Sequence, residues 1–264
     1  MIKEALQYIV GLSEAKVKDI NVDGKVQTYS DKSLYLLHKD IPRADAITMH
    51  TLTSLVDYIK GGIDIMAGKM IIEVTSPTEV RFFSQLDDNR NREYLVEVSA
   101  RVPDFTFNSF MDQEKFCINL QSKFMNECDR SLVLKFAGTV EAGTVAEYGD
   151  DGITQKATVK TGIASKSDAL VPNPVRLTPY RTFLEVEQPA SDFIFRMKQD
   201  KYEGIVCAIF EADGGAWKME ATQRIKEYLQ KELMEYPYIT VISVSYTHLR
   251  SPRDVEESRM PSSA

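Results

Sequence analysis

The sequence predicts an α+β protein in which antiparallel sheets are each covered on one face by helices. Three observations carry that expectation. Around Ser76-Pro77-Thr78, the apolar residues Met70, Ile72, Val74, Val80 and Phe82 alternate with mostly polar neighbours. One-sided alternation marks a sheet with one face on a core and the other in water. Leu52, Leu55, Val56, Ile59 and Ile63 recur at helical spacing, as do Trp217, Ala221, Ile225, Leu229 and Leu233. The run Ile205–Phe210 is apolar on both faces, which suits a strand central in its sheet.

Each element follows from local pattern. Residues 2–12 read as a short helix with Ile2, Leu6, Ile9 and Val10 on one side. Val17–Val22 and Lys25–Tyr29 flank Asp23-Gly24, a pair suited to a tight hairpin turn. Leu34–Leu37 reads as a third strand. A helix is expected over 51–66, weakened at Gly61-Gly62 by roughly 1 kcal/mol per glycine relative to alanine. Strands follow at Met70–Thr75, Glu79–Ser84 and 94–100, the last with Tyr94, Val96, Val98 and Ala100 facing the core. Ser109 is the expected N-cap of a helix with Asp112 at its third position and Phe116, Leu120 and Phe124 as its buried stripe. Leu132, Val133, Phe136, Ala137 and Val140 predict a short helix.

The second half is richer in strands. Thr144–Tyr148 and Ile153–Lys160 flank Gly149-Asp150-Asp151-Gly152. Leu184 and Val186 are expected on one face of a strand, with Glu185 and Glu187 opposite. Phe193, Phe195 and Met197 are expected to face inward on the next. Asp213-Gly214-Gly215 turns the chain into a helix over 216–233, and Ile239–Ile242 reads as an edge strand. Asn126-Glu127-Cys128-Asp129 interrupts the pattern, so the expected organisation is an N-terminal α+β region over 1–130 and a strand-rich region over 131–243.

Composition narrows the function classes. The chain has 264 residues, 43% hydrophobic and 27% charged, which is ordinary soluble usage. A net charge of −7 argues against a general DNA coater, because phosphate binding needs a basic footprint. Cys117, Cys128 and Cys207 form no C-x-x-C pair, and Cys117 and Cys207 read as buried thiols of a reducing compartment. The first residues lack a signal-peptide pattern, and Ile205–Phe210 is far too short to span a membrane. The expected setting is cytoplasmic, with no membrane partner.

Catalytic motifs are not apparent. Gly162-Ile163-Ala164-Ser165-Lys166-Ser167 lacks the glycine that precedes the lysine of a phosphate-binding loop. His38 and His50 have no ligand partner at H-x-x-x-H spacing, so no metal or other cofactor is expected. Glu185 and Glu187 on one strand face suit a magnesium ion or, more simply, a solvated sheet face. No G-x-S-x-G elbow occurs, and no catalytic residue is assigned. Trp217 suits a core position better than a stacking platform for bases, given its register with Ala221 and Ile225. The one charge anomaly is the segment 156–181. It carries Lys156, Lys160, Lys166, Arg176 and Arg181 against Asp168 alone, with Tyr180 as an aromatic neighbour. These six basic and aromatic residues are the candidate binding residues, since cations interleaved with hydroxyls suit phosphate contact.

Four stretches carry a resemblance: PDFTFNSFMDQEKFCINLQSKF, the hairpin VAEYGDDGITQKATV, the pair PYRTFLEVEQ and FIFRMKQD, and the helix WKMEATQRIKEYLQKEL. In this order, over residues 104–233, they resemble the YfdQ-like family of phage and prophage proteins, in particular early-region proteins of phages of Gram-positive bacteria. The resemblance implies a viral origin and a role in the cytoplasm of the host cell, and it carries over no catalytic residue. The expected function is a non-enzymatic accessory protein that binds nucleic acid or a replication, recombination or host-defence component. The alternatives are a metal-dependent enzyme acting on a nucleotide or phosphate ester, and a virion or assembly component. Residues 244–264 lack periodicity, and VSYTHLR resembles translated sequencing-adapter sequence of metagenomic origin. They are expected to be a non-native disordered tail, with Arg250, Arg253 and Arg259 offsetting Asp254, Glu256 and Glu257. A chain ending at Ser243 should therefore keep its thermal midpoint, whereas a loss of several degrees on truncation would show that the tail packs.

Overall fold

The computed structural model describes residues 2–13, 16–22, 24–30, 43–64, 66, 68–88, 90–140, 146–147, 155–160, 166–202 and 204–243. The chain divides into Met1–Ala44 and Asp45–Ala264. In the first unit, helix α1 (Ile2–Ser13) precedes the antiparallel hairpin of β1 (Val17–Val22) and β2 (Lys25–Ser30). Gly24 sits at its turn with φ 82°, a conformation that favours glycine. The strand expected at Leu34–Leu37 lies outside the described residues.

The second unit holds two cores. Its elements run β3 (Ile47–Met49), α2 (Leu52–Gly61), β4 (Met70–Ser76), β5 (Glu79–Ser84), β6 (Tyr94–Ser99), β7 (Met111–Asp112), α3 (Gln113–Lys123) and α4 (Arg130–Thr139). There follow β8 (Ala146–Glu147), β9 (Gln155–Lys160), β10 (Lys166–Leu170), β11 (Val175–Leu177), β12 (Ser191–Asp200), β13 (Gly204–Glu211), α5 (Ala216–Glu232) and β14 (Ile239–Ser243). The fold is α+β, as the alternation and helical stripes predict.

The first core lies between helices α2 and α5 and a five-stranded sheet ordered β14-β4-β5-β6-β3. Strands β4, β5 and β6 are antiparallel, and the two edge strands run parallel to their neighbours, so this sheet is mixed. Met70, Ile72, Val74, Val80, Phe82, Val96 and Val98 meet Leu55, Ile59, Ile225 and Leu229 inside it. The second core lies under the antiparallel sheet β11-β12-β13-β7, where Phe193, Phe195 and Met197 pack on Phe116, Leu120, Val133 and Ala137 of α3 and α4. Each such large side chain contributes roughly 1.5–3 kcal/mol over its exposed state. Strand β13 is internal and buried on both faces, as its apolar run predicts. Residues 124–129 join α3 to α4, both of which pack into the second core, and α5 and β14 return from the C-terminal side to complete the first.

Several expectations change at element ends. Helix α2 stops at Gly61, because Gly62 adopts φ 56° and closes the last turn on the Ile59 carbonyl. The glycine pair is thus a C-terminal stop, and Ile63 beyond it is 70% exposed. Helix α3 begins later than Ser109. Met111 and Asp112 first pair with Cys207 and Val206 of β13, and Asp112 itself then caps the helix by accepting from Lys115 N at 2.8 Å. A register shift between Phe82 and Phe83 in the β5–β6 pair sets Tyr94 beside Phe83 on the outer face, so Tyr94 does not point into the core.

The strand expected through Leu184 and Val186 is a folded loop. Gln188 is buried inside it and holds both sides. Its Oε1 accepts from Arg181 N and Thr182 N at 3.0 and 3.2 Å, and its Nε2 donates to the Phe183 carbonyl at 2.9 Å. These bonds replace a ladder and turn Phe183 and Val186 into the first core, leaving Leu184 71% exposed. Gln188→Ala should destabilise the protein by about 1–3 kcal/mol, since it leaves buried backbone donors unpaired. Urea unfolding checks this, and an unchanged midpoint would contradict the role given to Gln188.

Candidate functional site

The expected basic segment separates into two paired strands and an internal arginine. Strands β9 and β10 are antiparallel, with Lys166 opposite Lys160, Asp168 opposite Thr158 and Leu170 opposite Lys156. Alternate residues share a face along a strand, and directly opposed residues share a face across a pair. Lys156, Lys160 and Lys166 therefore fall on one face, together with Thr158 and Asp168. Gln155, Ala157, Val159, Ser167 and Ala169 fall on the other, as does Glu147 of β8, which pairs with Gln155. Among the described residues of β8, β9 and β10, Asp168 is the one acid at those positions.

Arg176 and Tyr180 belong to the neighbouring sheet. Arg176 on β11 is exposed and lies 3.3 Å from Asp192 of β12, its direct cross-strand partner. Such an exposed pair is worth roughly 0–1 kcal/mol, so it does not hold Arg176 back from another anion. Tyr180 is half-buried, and its backbone N–H donates to the Lys123 carbonyl at 3.0 Å.

Arg181 is buried, with only 6% of its surface exposed. Its guanidinium donates to Ser191 Oγ, to the Pro189 carbonyl at 3.4 Å and to Glu211 Oε1 at 3.3 Å. It also lies 3.9 Å above the centre of the Trp217 ring. Burial lowers its pKa to about 10, with the charges of Asp213, Glu211 and Glu220 opposing the shift. Unlike the hairpin lysines, Arg181 is an interior cation with its own partners. Sequence reasoning missed this cluster because Arg181, Ser191, Glu211, Asp213 and Trp217 share no spacing, and only folding of the loop before β12 gathers them. Trp217 is half-buried with one ring face covered by Arg181. It is neither the fully buried core residue that its register suggests nor an open stacking platform.

The remaining candidates are dispersed. Glu185 accepts from Thr53 N at 3.2 Å at the start of α2, while Glu187 lies 3.6 Å from Arg224 of α5. They are not paired on a strand face. Among the described residues no group of three or more metal-capable side chains comes together. Burial pushes the Cys207 thiol up to about 12 and also raises Cys117, so neither is a ready thiolate at neutral pH. No helix of the described residues is long and apolar enough to cross a membrane.

No known protein family, curated protein or solved structure matches the chain.

Asp213 links the Arg181 cluster to α5. Its carboxylate accepts from Ser191 Oγ at 2.7 Å, Gly215 N at 3.0 Å and Trp217 N at 3.4 Å. Burial alone would raise its pKa, but these hydrogen bonds and the Arg181 charge outweigh burial and hold it below the ordinary 3.8. A depressed carboxyl pKa contributes stability above the unfolded value, and that contribution disappears as pH falls through the folded value. Asp213→Asn should therefore be less stable than the parent at pH 7, with the difference shrinking below pH 3.8. Denaturant unfolding at both pH values checks the sign, and a gap that widens in acid would contradict it.

Proposed function

We propose that this protein is a non-enzymatic accessory protein of the phage-infected cell that binds nucleic acid through the lysine face of β9 and β10. The observation that carries the reading is the register that brings Lys156, Lys160 and Lys166 to one face. With a net charge of −7, affinity for a polyanion must come from a local surface of this kind. The exposed Arg176 is a further cation on the neighbouring sheet. Nothing in this arrangement selects bases, so the proposed binding is to the phosphate backbone and largely independent of sequence.

Phosphate contact has a measurable signature. Each lysine that displaces counterions from a single strand contributes about −0.7 to the slope of log affinity against log salt. Replacing Lys156, Lys160 and Lys166 with glutamine should flatten the slope by about two units while leaving the thermal midpoint in place. Fluorescence anisotropy with labelled single- and double-stranded DNA across a salt series reads both quantities. Absence of binding by the unaltered chain at low salt would overturn the proposal and turn attention to a protein partner.

A further inference from the structure

Strand β14 is one edge of the five-stranded sheet, with β4 on its inner side. The Tyr238 carbonyl accepts from Met70 N at 2.9 Å, which fixes the direction of its backbone towards β4. Backbone direction alternates along a strand paired in parallel, so Thr240 and Ile242 also bond inward. Val241 and Ser243 then present their N–H and C=O groups to the open edge. Sheet edges are ordinarily blunted by charge, proline, a bulge or shortness. The sequence Ile-Thr-Val-Ile-Ser has neither charge nor proline, its register with β4 is unbroken, and its first four residues are β-branched. The opposite edge, β3, is only three residues long. Among the described residues no strand pairs with the outer side of β14.

We infer that β14 pairs with β14 of a second copy of this chain, antiparallel about a two-fold axis through Val241. In that register the outward N–H and C=O of Val241 meet their own counterparts reciprocally, as in a hydrogen-bonded antiparallel pair. Thr240 falls opposite Ile242 of the partner subunit. The strand is thus self-complementary, which a two-fold interface requires. Val241 faces the core at 9% exposure, so the inner faces of the two sheets become continuous. Stable interfaces bury roughly 800 Å2 per partner, more than a five-residue strand supplies by itself. Met234 is 80% and Ile242 42% exposed beside it. Gln230, Met234, Tyr236, Pro237 and Thr240 line a mainly polar hollow of about 290 Å3 against the strand. This inference is independent of nucleic-acid binding.

The test is the mass of the full chain by sedimentation and light scattering at micromolar concentration. A dimer that dissociates on dilution is expected. Thr240→Lys combined with Ile242→Lys sets like charges opposite one another across the two-fold, at positions exposed in the single chain. It should raise the dimer Kd about tenfold or more while leaving in place the thermal midpoint measured at dilution, where both chains are monomeric. Mixing that variant with Thr240→Glu combined with Ile242→Glu should restore a dimer containing one copy of each. A monomeric parent chain, a dimer insensitive to the lysine pair, or failure of the two variants to associate would each overturn the inference.

Discussion

A guanidinium taken out of water must be matched by groups that are themselves held in place, and that requirement organises the junction of the two cores. Arg181 is matched by Ser191 at the start of β12, Glu211 at the end of β13 and Trp217 in the first turn of α5. Asp213 completes the arrangement through Ser191. The elements that contribute these groups belong to both layers of the unit. Strands β12 and β13 form the second core, and α5 closes the first. Thr182, next in the chain, donates to the Pro77 carbonyl at 2.5 Å in the turn between β4 and β5. The loop therefore ties one sheet to the other through polar contacts, while Phe183 and Val186 enter the first core as apolar anchors. Breaking one partner of such a buried charge costs more than the pair itself contributes, because the remaining ion stays desolvated.

The same constraint explains which parts of the structure could be read from the residues. Periodicity reports burial, so the strands around Ser76-Pro77-Thr78 and the stripe of Ile225, Leu229 and Leu233 were legible: their apolar residues meet a single core. The double-sided burial of β13 was legible for the same reason. Periodicity fails where a side chain replaces a backbone ladder. PYRTFLEVEQ alternates like a strand, but Gln188 satisfies its backbone and folds it into a loop. Helix limits were displaced where a local geometric demand overrode composition, as with the left-handed Gly62 and the strand pairing of Met111 and Asp112. The return of α5 and β14 to the first sheet had no local signal, since it is a long-range packing event.

Charge in this protein is divided between two environments. Arg181 uses its cation internally, which removes it from any exposed basic footprint. The lysines of β9 and β10 are arranged by strand register instead, and the sequence had already grouped them by composition. What the sequence did not show was that they share a face, because that depends on the register in which β9 pairs with β10. The proposed self-association uses a different edge of the fold, where the absence of charge is the distinguishing feature.

The most direct measurement of the central claim is residue-resolved. Brief lysine acetylation of the native protein, with and without a single-stranded oligonucleotide, followed by peptide mass spectrometry, reports which ammonium groups the ligand covers. Selective protection of Lys156, Lys160 and Lys166 is the predicted result. Protection centred on other lysines, or none under conditions where the oligonucleotide is bound, would contradict the assignment of the β9–β10 face as the phosphate-binding surface.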